Sequence, residues 1–222
     1  MSLKGIIFDF DGLILDTELP GFIAWKEIFD RYQVPFTFQH WHKAIGTGPS
    51  AYDPAIDLCS QVMESLNPDE IRQNQLRRAY EILEKTSALP GVLDVIEDAK
   101  KAGIKMAVAS SSPRDWVINH LTRLELVSVF DFILTAEDVL NVKPQPDLFQ
   151  LALKKLGISA SEAVVFEDSP NGIKAARAAG IFVIVVPNEI TKSMDTSEAD
   201  RQIGSFEEIT LSQLIRDFET SQ

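Results

Sequence analysis

Four short apolar runs recur at helix-length spacing through the second half of the chain: Ile104–Ala109, Phe132–Thr135, Ala163–Phe166 and Ile181–Val186. Each is rich in β-branched or aromatic residues and closes on polar or turn residues, as a buried strand does. Between them lie stretches with helical periodicity, Leu93–Ala102, Leu148–Leu156 and Ile173–Ala179, each stopped by a glycine (Gly103, Gly157, Gly180) at the position where a helix ends. Leu148, Phe149, Ala152 and Leu156 share one face, which predicts a helix packed on a sheet. Strand and helix in alternation impose a parallel sheet covered by helices, since parallel strands need crossover connections. A further apolar run, Ile6–Phe10, opens the chain and supplies the first strand.

The residues between that strand and the next read differently. From Leu19 to Ala88 helical periodicity dominates, beginning at Phe22, Ile23, Trp25, Lys26 and Phe29 and resuming over Ile71–Leu83 with Leu76, Ala79, Tyr80 and Leu83 on one stripe. A helical block between the first two strands of a sheet predicts an insert that forms its own domain, a cap.

With 222 residues, 45% hydrophobic and 24% charged, the chain has the makeup of a globular protein large enough for a core and a satellite domain. Its net charge of −12 works against nonspecific nucleic-acid or membrane-surface binding. Small phosphorylated metabolites stay compatible, because a local cation outweighs the global field. The single Cys59 cannot close an intrachain disulfide and reads as a small buried hydrophobe. The apolar run at the N-terminus is too short for a signal sequence or a membrane span. The expectation is therefore a cytoplasmic protein, with a monomer as the default state.

Chemistry concentrates where the predicted strands end, the edge at which open parallel α/β sheets bind ligands. The first strand ends in Asp9 and Asp11, the second in Ser110, and the fourth in Glu167 and Asp168; Lys143 lies in the loop Val142–Asp147 after the third. Carboxylates crowded at one edge repel one another and resist burial unless cations sit among them. A lysine and a metal ion would answer that need.

These positions carry a resemblance. Asp9-Phe-Asp11-Gly-Leu-Ile-Leu-Asp16-Thr-Glu18, Ser110 within Ala-Ser-Ser-Ser, Lys143-Pro-Gln-Pro-Asp147 and Glu167-Asp168-Ser-Pro-Asn-Gly172-Ile resemble, in order, the motifs of the haloacid dehalogenase superfamily. The likeness is to its small capped phosphatases and β-phosphoglucomutase-like enzymes. It implies an α/β fold, a Rossmann-like three-layer core with a parallel sheet over residues 1–15 and 88–222, and an inserted helical cap over 16–87. It implies a Mg²⁺-dependent phosphatase acting on a small phosphomonoester, sugar phosphates among the candidates, through an aspartyl-phosphate; closure of the cap about hinges near Leu15–Glu18 and Thr86–Pro90 is expected to exclude bulk water.

On that resemblance Asp9 is the nucleophile and Asp11 the general acid and base. Asp9, Asp168, the Asp11 carbonyl and Glu167, the last through water or by orienting its neighbours, serve the metal. Ser110 and the amides after it, from Ser111 on, hold phosphate with Lys143. A phosphomutase is the rival reading. Mutases of this kind carry a His shortly after the Asp-Thr pair and an Arg shortly after a cap glycine, where this chain has Gly21 and, after Gly46, Pro49. A phospho-accepting signalling domain is a more distant rival, since its chain would lack the insert.

Plainer roles compete for several of these residues. Asp16 and Thr17 suit a helix cap as well as a hinge, Ser111 and Ser112 before Pro113 suit a helix start with Pro113 in its first turn, and Asp147 suits an N-cap. Lys174 and Arg177 read as solvent-facing charges. The stretch His40-Trp41-His42-Lys43 reads as an aromatic-anchored helix end or, with Gly46, as a substrate-specificity surface. Only three histidines are present, His120 in a core helix being the third, so a histidine metal site is not expected. Gly46-Thr-Gly48 lacks the third glycine and the preceding strand of a dinucleotide loop.

Overall fold

The computed structural model describes residues 2–45 and 52–220. Their backbone divides into two compact units, one of residues 1–15 and 87–222, the other of residues 16–86.

The larger unit is built on a six-stranded, wholly parallel sheet: β1 (Gly5–Phe8), β2 (Lys105–Ala109), β3 (Phe132–Leu134), β4 (Ala163–Glu167), β5 (Phe182–Val185) and β6 (Arg201–Gln202), in spatial order β3-β2-β1-β4-β5-β6. The first strand thus lies inside the sheet, and successive crossovers leave it in opposite directions. That reversal opens a crevice beyond the carboxyl ends of β1 and its neighbours. Register puts Phe8 level with Val108 on one side and Phe166 on the other. Pairing runs one step further, with Asp9 N donating to Phe166 O (3.0 Å) and Ser110 N to Leu134 O (3.0 Å). The last residues of the strands therefore finish at nearly one level.

Burial on both faces explains the unbroken apolar runs. Ile7, Ala107, Ala109, Val165, Val183 and Val185 form one face, covered by Leu148, Phe149, Ala152 and Leu156 of one helix and Ile173 and Ala176 of another. On the other, Phe8 stacks with Phe166 (centroids 5.5 Å apart) and meets Phe130 and Phe206 edge-on or tilted.

The smaller unit holds helices α1 (Glu18–Arg31), α2 (Phe38–Trp41), α3 (Pro54–Gln61) and α4 (Pro68–Leu83); the larger holds α5 (Val92–Lys101), α6 (Arg114–Arg123), α7 (Asp147–Leu156), α8 (Pro170–Ala178) and α9 (Leu211–Thr220). In the smaller unit α1 packs on α4 through Phe22, Trp25, Ile28 and Phe29 against Ile71, Ala79 and Leu83. Leu76, expected on that stripe, is instead 48% exposed, while Ile71, Ala79 and Leu83 are buried. Cys59 is half-buried rather than buried, its thiol facing the Leu66 carbonyl at 3.8 Å. Among the described residues no helix is long and apolar enough to cross a membrane.

Local signals account for most helix starts. Pro170 opens α8 and the Ser169 hydroxyl accepts from Gly172 N (3.2 Å); Asn67 caps α4 through Asp69 N (3.0 Å). Thr17 stands at the N-cap of α1 without a side-chain capping bond, and Asp16 Oδ1 takes the orphan Leu19 N instead (3.1 Å). Pro113 is not within α6 as expected: its extended ψ of 148° makes it the N-cap residue, one step outside the helix.

Candidate active site

The strand ends and one loop bring Asp9, Asp11, Ser110, Lys143, Glu167 and Asp168 together. Asp9, Ser110, Lys143, Glu167 and Asp168 are all buried. Lys143 is the hub: its ammonium contacts Asp9 Oδ1 closely and donates to Glu167 Oε1 at 2.7 Å. It also sits 4.9 Å from the centroid of the Phe149 ring, where an aromatic face favours a cation. The loop that delivers it is braced across its base, since Asp147 Oδ2 accepts from the backbone and the amide of Asn141 (3.3 and 3.1 Å). Asp147 therefore holds the loop in place of the N-cap expected of it; the N-cap of α7 is Pro146.

Glu167 has both oxygens committed. Oε1 serves Lys143, and Oε2 accepts from Asp168 N (2.9 Å), Ser169 N (2.9 Å) and Ser169 Oγ (3.0 Å). The motif glycine exists for this carboxylate: a Cβ on Gly172 would fall 1.6 Å from Glu167 Oε1. Any side chain at 172 would expel Glu167 from the seat in which it anchors the lysine.

Burial pushes the Asp9 carboxyl up, to about 8, with the Lys143 ammonium opposing it and the charges of Glu167 and Asp11 adding to it. Burial also disfavours the lysine's charge, but Asp9 and Glu167 more than reverse this and hold Lys143 above its ordinary range. The lysine is thus a fixed cation between two carboxylates.

Asp9, Glu167 and Asp168 each place a carboxylate oxygen within 4.8 Å of the others. An all-oxygen donor set without nitrogen or sulfur suits a hard divalent cation, so the residues fit the metal the sequence implied. Glu167 already meets four protein donors, so Asp9 and Asp168 are the carboxylates that could hold a cation directly. The side chain of Asp11 is turned elsewhere. Its Oδ1 accepts from the Trp116 indole (2.7 Å), and its Oδ2 from Ser112 Oγ (2.7 Å) and Ser110 Oγ (3.1 Å).

The sequence does not mark Trp116 or Ser112 as site residues. In the sequence Ser112 suits a helix start, and a tryptophan in the first turn of α6 carries no signal that distinguishes it from core. Ser111 stands beside them with its hydroxyl buried and unpartnered, a donor available at the end of β2. In the smaller unit, His40 closes the first turn of α2 by accepting from Thr37 N at 3.1 Å, His42 is half-buried, and Lys43 lies 5.5 Å over the Tyr52 ring. Gly46 and Pro49 lie outside the described residues.

The sequence profile of the haloacid dehalogenase-like hydrolases matches residues 6–186. The chain belongs to that family. Its relatives include the protein YhcW of Bacillus subtilis, 39% identical over 96% of each chain, and the phosphorylated carbohydrates phosphatase of Thermotoga maritima, 32% identical over 81% of this chain and 82% of that one. Among solved structures, CbbY of Rhodobacter sphaeroides in complex with phosphate superposes with a TM-score of 0.75 at 28% identity, over 96% of this chain and 99% of the other. The arrangement of Asp9, Lys143, Glu167 and Asp168 is therefore a site in a hydrolase.

Proposed function

We propose that this hydrolase cleaves a small phosphomonoester, of the sugar-phosphate class, with Mg²⁺ bound and Asp9 as the covalent nucleophile. One observation carries the reading: a buried lysine, anchored by Glu167, grips the Asp9 carboxylate within reach of Asp168. The substrate class is supported by a phosphatase of phosphorylated carbohydrates in Thermotoga maritima and by CbbY, whose structure has been solved with xylulose-1,5-bisphosphate.

The steps follow from the residues. Lys143 favours the ionised form of Asp9 and neutralises charge on the phosphoryl group. Asp9 and Asp168 would hold the Mg²⁺, which when bound offsets negative charge at phosphorus. An Asp9 oxygen attacks phosphorus, the bond from phosphorus to the substrate oxygen breaks, and Asp11 gives its proton to the departing alkoxide. Water then attacks the aspartyl-phosphate, Asp11 takes the proton, and the Asp9–phosphorus bond breaks to release inorganic phosphate. Ser110 and Ser111 would donate to phosphate oxygens.

Hydrolysis is favoured over transfer by Gly21. A Cβ on it would stand 3.0 Å from the Trp41 ring, so the place where the mutases carry a histidine is filled by an indole packed on bare backbone. The test is phosphate release from a panel of sugar phosphates, nucleotides and an aryl phosphate, with Mg²⁺ or chelator, wild type beside Asp9→Asn. Metal-dependent release lowered by about 10³-fold or more in the variant is expected. Interconversion of sugar-phosphate isomers without net phosphate release would replace this reading with the mutase.

A further inference from the structure

Asn188, which no motif singles out, lies beyond the end of β5 and is 8% exposed. Every hydrogen-bonding position of its side-chain amide is used. Oδ1 accepts from Ile190 N (2.9 Å) and Thr191 N (2.9 Å), while Nδ2 donates to Asp168 Oδ2 (2.7 Å) and to the Gly12 carbonyl (3.0 Å). The two backbone donors fix which way the amide points, so its NH₂ faces the carboxylate.

The turn after β5 explains only half of this. An oxygen acceptor at position 188 closes that turn, and Asp or Ser would do so as well. Neither supplies the two donors that reach Asp168 and Gly12. The approach is so close that Gly12, with φ +76°, could carry no side chain: its Cβ would stand 2.4 Å from Asp168 Oδ2 and 2.5 Å from Asn188 Nδ2. Gly12 follows the Asp9–Asp11 segment directly, so the amide ties the loop after β1 to the end of β4.

We propose that Asn188 is the positioning residue of the cation site, clamping the Asp168 carboxylate and the Gly12 carbonyl into one preformed unit. This rests on the reading that Asp168 is a cation ligand. Groups that orient a ligand change metal affinity by about 10- to 100-fold when removed, and the clamp makes its mark on binding itself, ahead of any turnover.

The experiment is titration of Mn²⁺ into the chelator-stripped full chain, read by electron paramagnetic resonance of the free ion, with unfolding midpoints measured in parallel. Asn188→Ser keeps an acceptor for the turn and is too short to reach Asp168. Thr191→Val removes the acceptor of Asn188 N (3.0 Å) and leaves the clamp. The Mn²⁺ dissociation constant is expected to rise about 10-fold or more in Asn188→Ser and to stay near the wild-type value in Thr191→Val, even where the latter lowers the midpoint. Unchanged affinity in Asn188→Ser, or equal weakening in both variants, overturns the proposal. A wild type that binds no Mn²⁺ overturns the cation reading itself, and the clamp with it.

Discussion

Both units carry ion pairs at the surface, such as Lys101 with Glu97 and Lys192 with Glu189 in the sheet unit, but among the described residues only the sheet unit also buries a set of charges. In the helical unit the ion pairs keep at least one side chain in water: Arg78 with Glu27 (2.7 Å) and Glu81 (3.1 Å) and Lys26 with Asp30 (2.8 Å) are more than a third exposed on both sides, and Arg72 with Asp53 on the arginine's side. In the sheet unit, Lys143, Asp9 and Glu167 have side chains at most 9% exposed and bind one another in a closed set. Exposed pairs are screened and lose side-chain entropy, so they contribute little. A buried set has already given up its hydration, so it is worth most when complete and costs most when one member is missing. The difference teaches where in this chain a charge is structural decoration and where it is machinery.

The comparison is broken most forcefully at Lys143. Lys143→Met should leave Asp9 and Glu167 unpaired in the interior, destabilising the fold by about 3–5 kcal/mol at neutral pH. Phosphatase turnover should fall by about 10²–10³-fold. The loss is read as the midpoint difference from wild type in denaturant titration; an unchanged midpoint would show that the buried carboxylates tolerate losing their cation.

Trp116 tests the set at its edge. Trp116→Phe keeps a ring against His120, which it meets edge-on at 4.5 Å, and removes the N–H that Asp11 accepts. kcat/KM for an alkyl phosphate, which needs a proton at its leaving oxygen, is expected to fall about tenfold. An activated aryl phosphate, with a leaving group stable as the anion, should hardly change. Equal losses on both substrates would assign Trp116 to packing alone.

Asp9 sharpens the comparison through pH. With its folded pKa at about 8 against an ordinary 3.8, the folded chain keeps a proton over a range where the unfolded chain has released it. Metal-free stability should therefore decline as pH rises from about 4 to about 8. His120, lowered by burial and by Arg123, has the opposite sign, since below its ordinary 6.5 the unfolded state binds the extra proton. The difference between wild type and Asp9→Asn in chelator cancels that contribution, and urea midpoints at pH 5 and pH 8 should move toward the variant's favour. The smallest effect belongs to the helical unit. Arg78→Ala should shift the melting midpoint by less than about 3 °C and leave kcat/KM unchanged.

The legible parts of the fold were those written as periodicity. β1 to β5 and the sheet-covering helices α5, α7 and α8 coincide with the apolar runs and glycine stops, because strands buried on both faces admit no polar interruption. β6 leaves no such mark, since Arg201–Gln202 carry no apolar run; that strand exists through pairing with β5. α9 buries one face through Leu211, Leu214 and Phe218, but no glycine stop follows it. Among candidate site residues, those at strand ends were legible because a carboxylate or lysine there has no cheap structural reason to be buried. Trp116, Ser112 and Asn188 were not, because each acts by meeting a group more than 15 positions away in the chain, and only the folded sheet creates that meeting.

The strand order has a consequence for how the chain comes into being. β1 is synthesised first, yet both strands that flank it, β2 and β4, begin at Lys105 and Ala163. The entire stretch of residues 16–86 leaves the ribosome while Ile6, Ile7 and Phe8 have no neighbour. At ~5–20 residues per second, that is a wait of several seconds before β2 emerges, and longer for β4. The helical unit, rich in local contacts, can be folded by then. The strand that leads to Asp9 is thus the oldest part of the sheet and among the last to be enclosed, so a nascent chain halted before Ala163 carries Asp9 without Glu167 and Asp168 beside it.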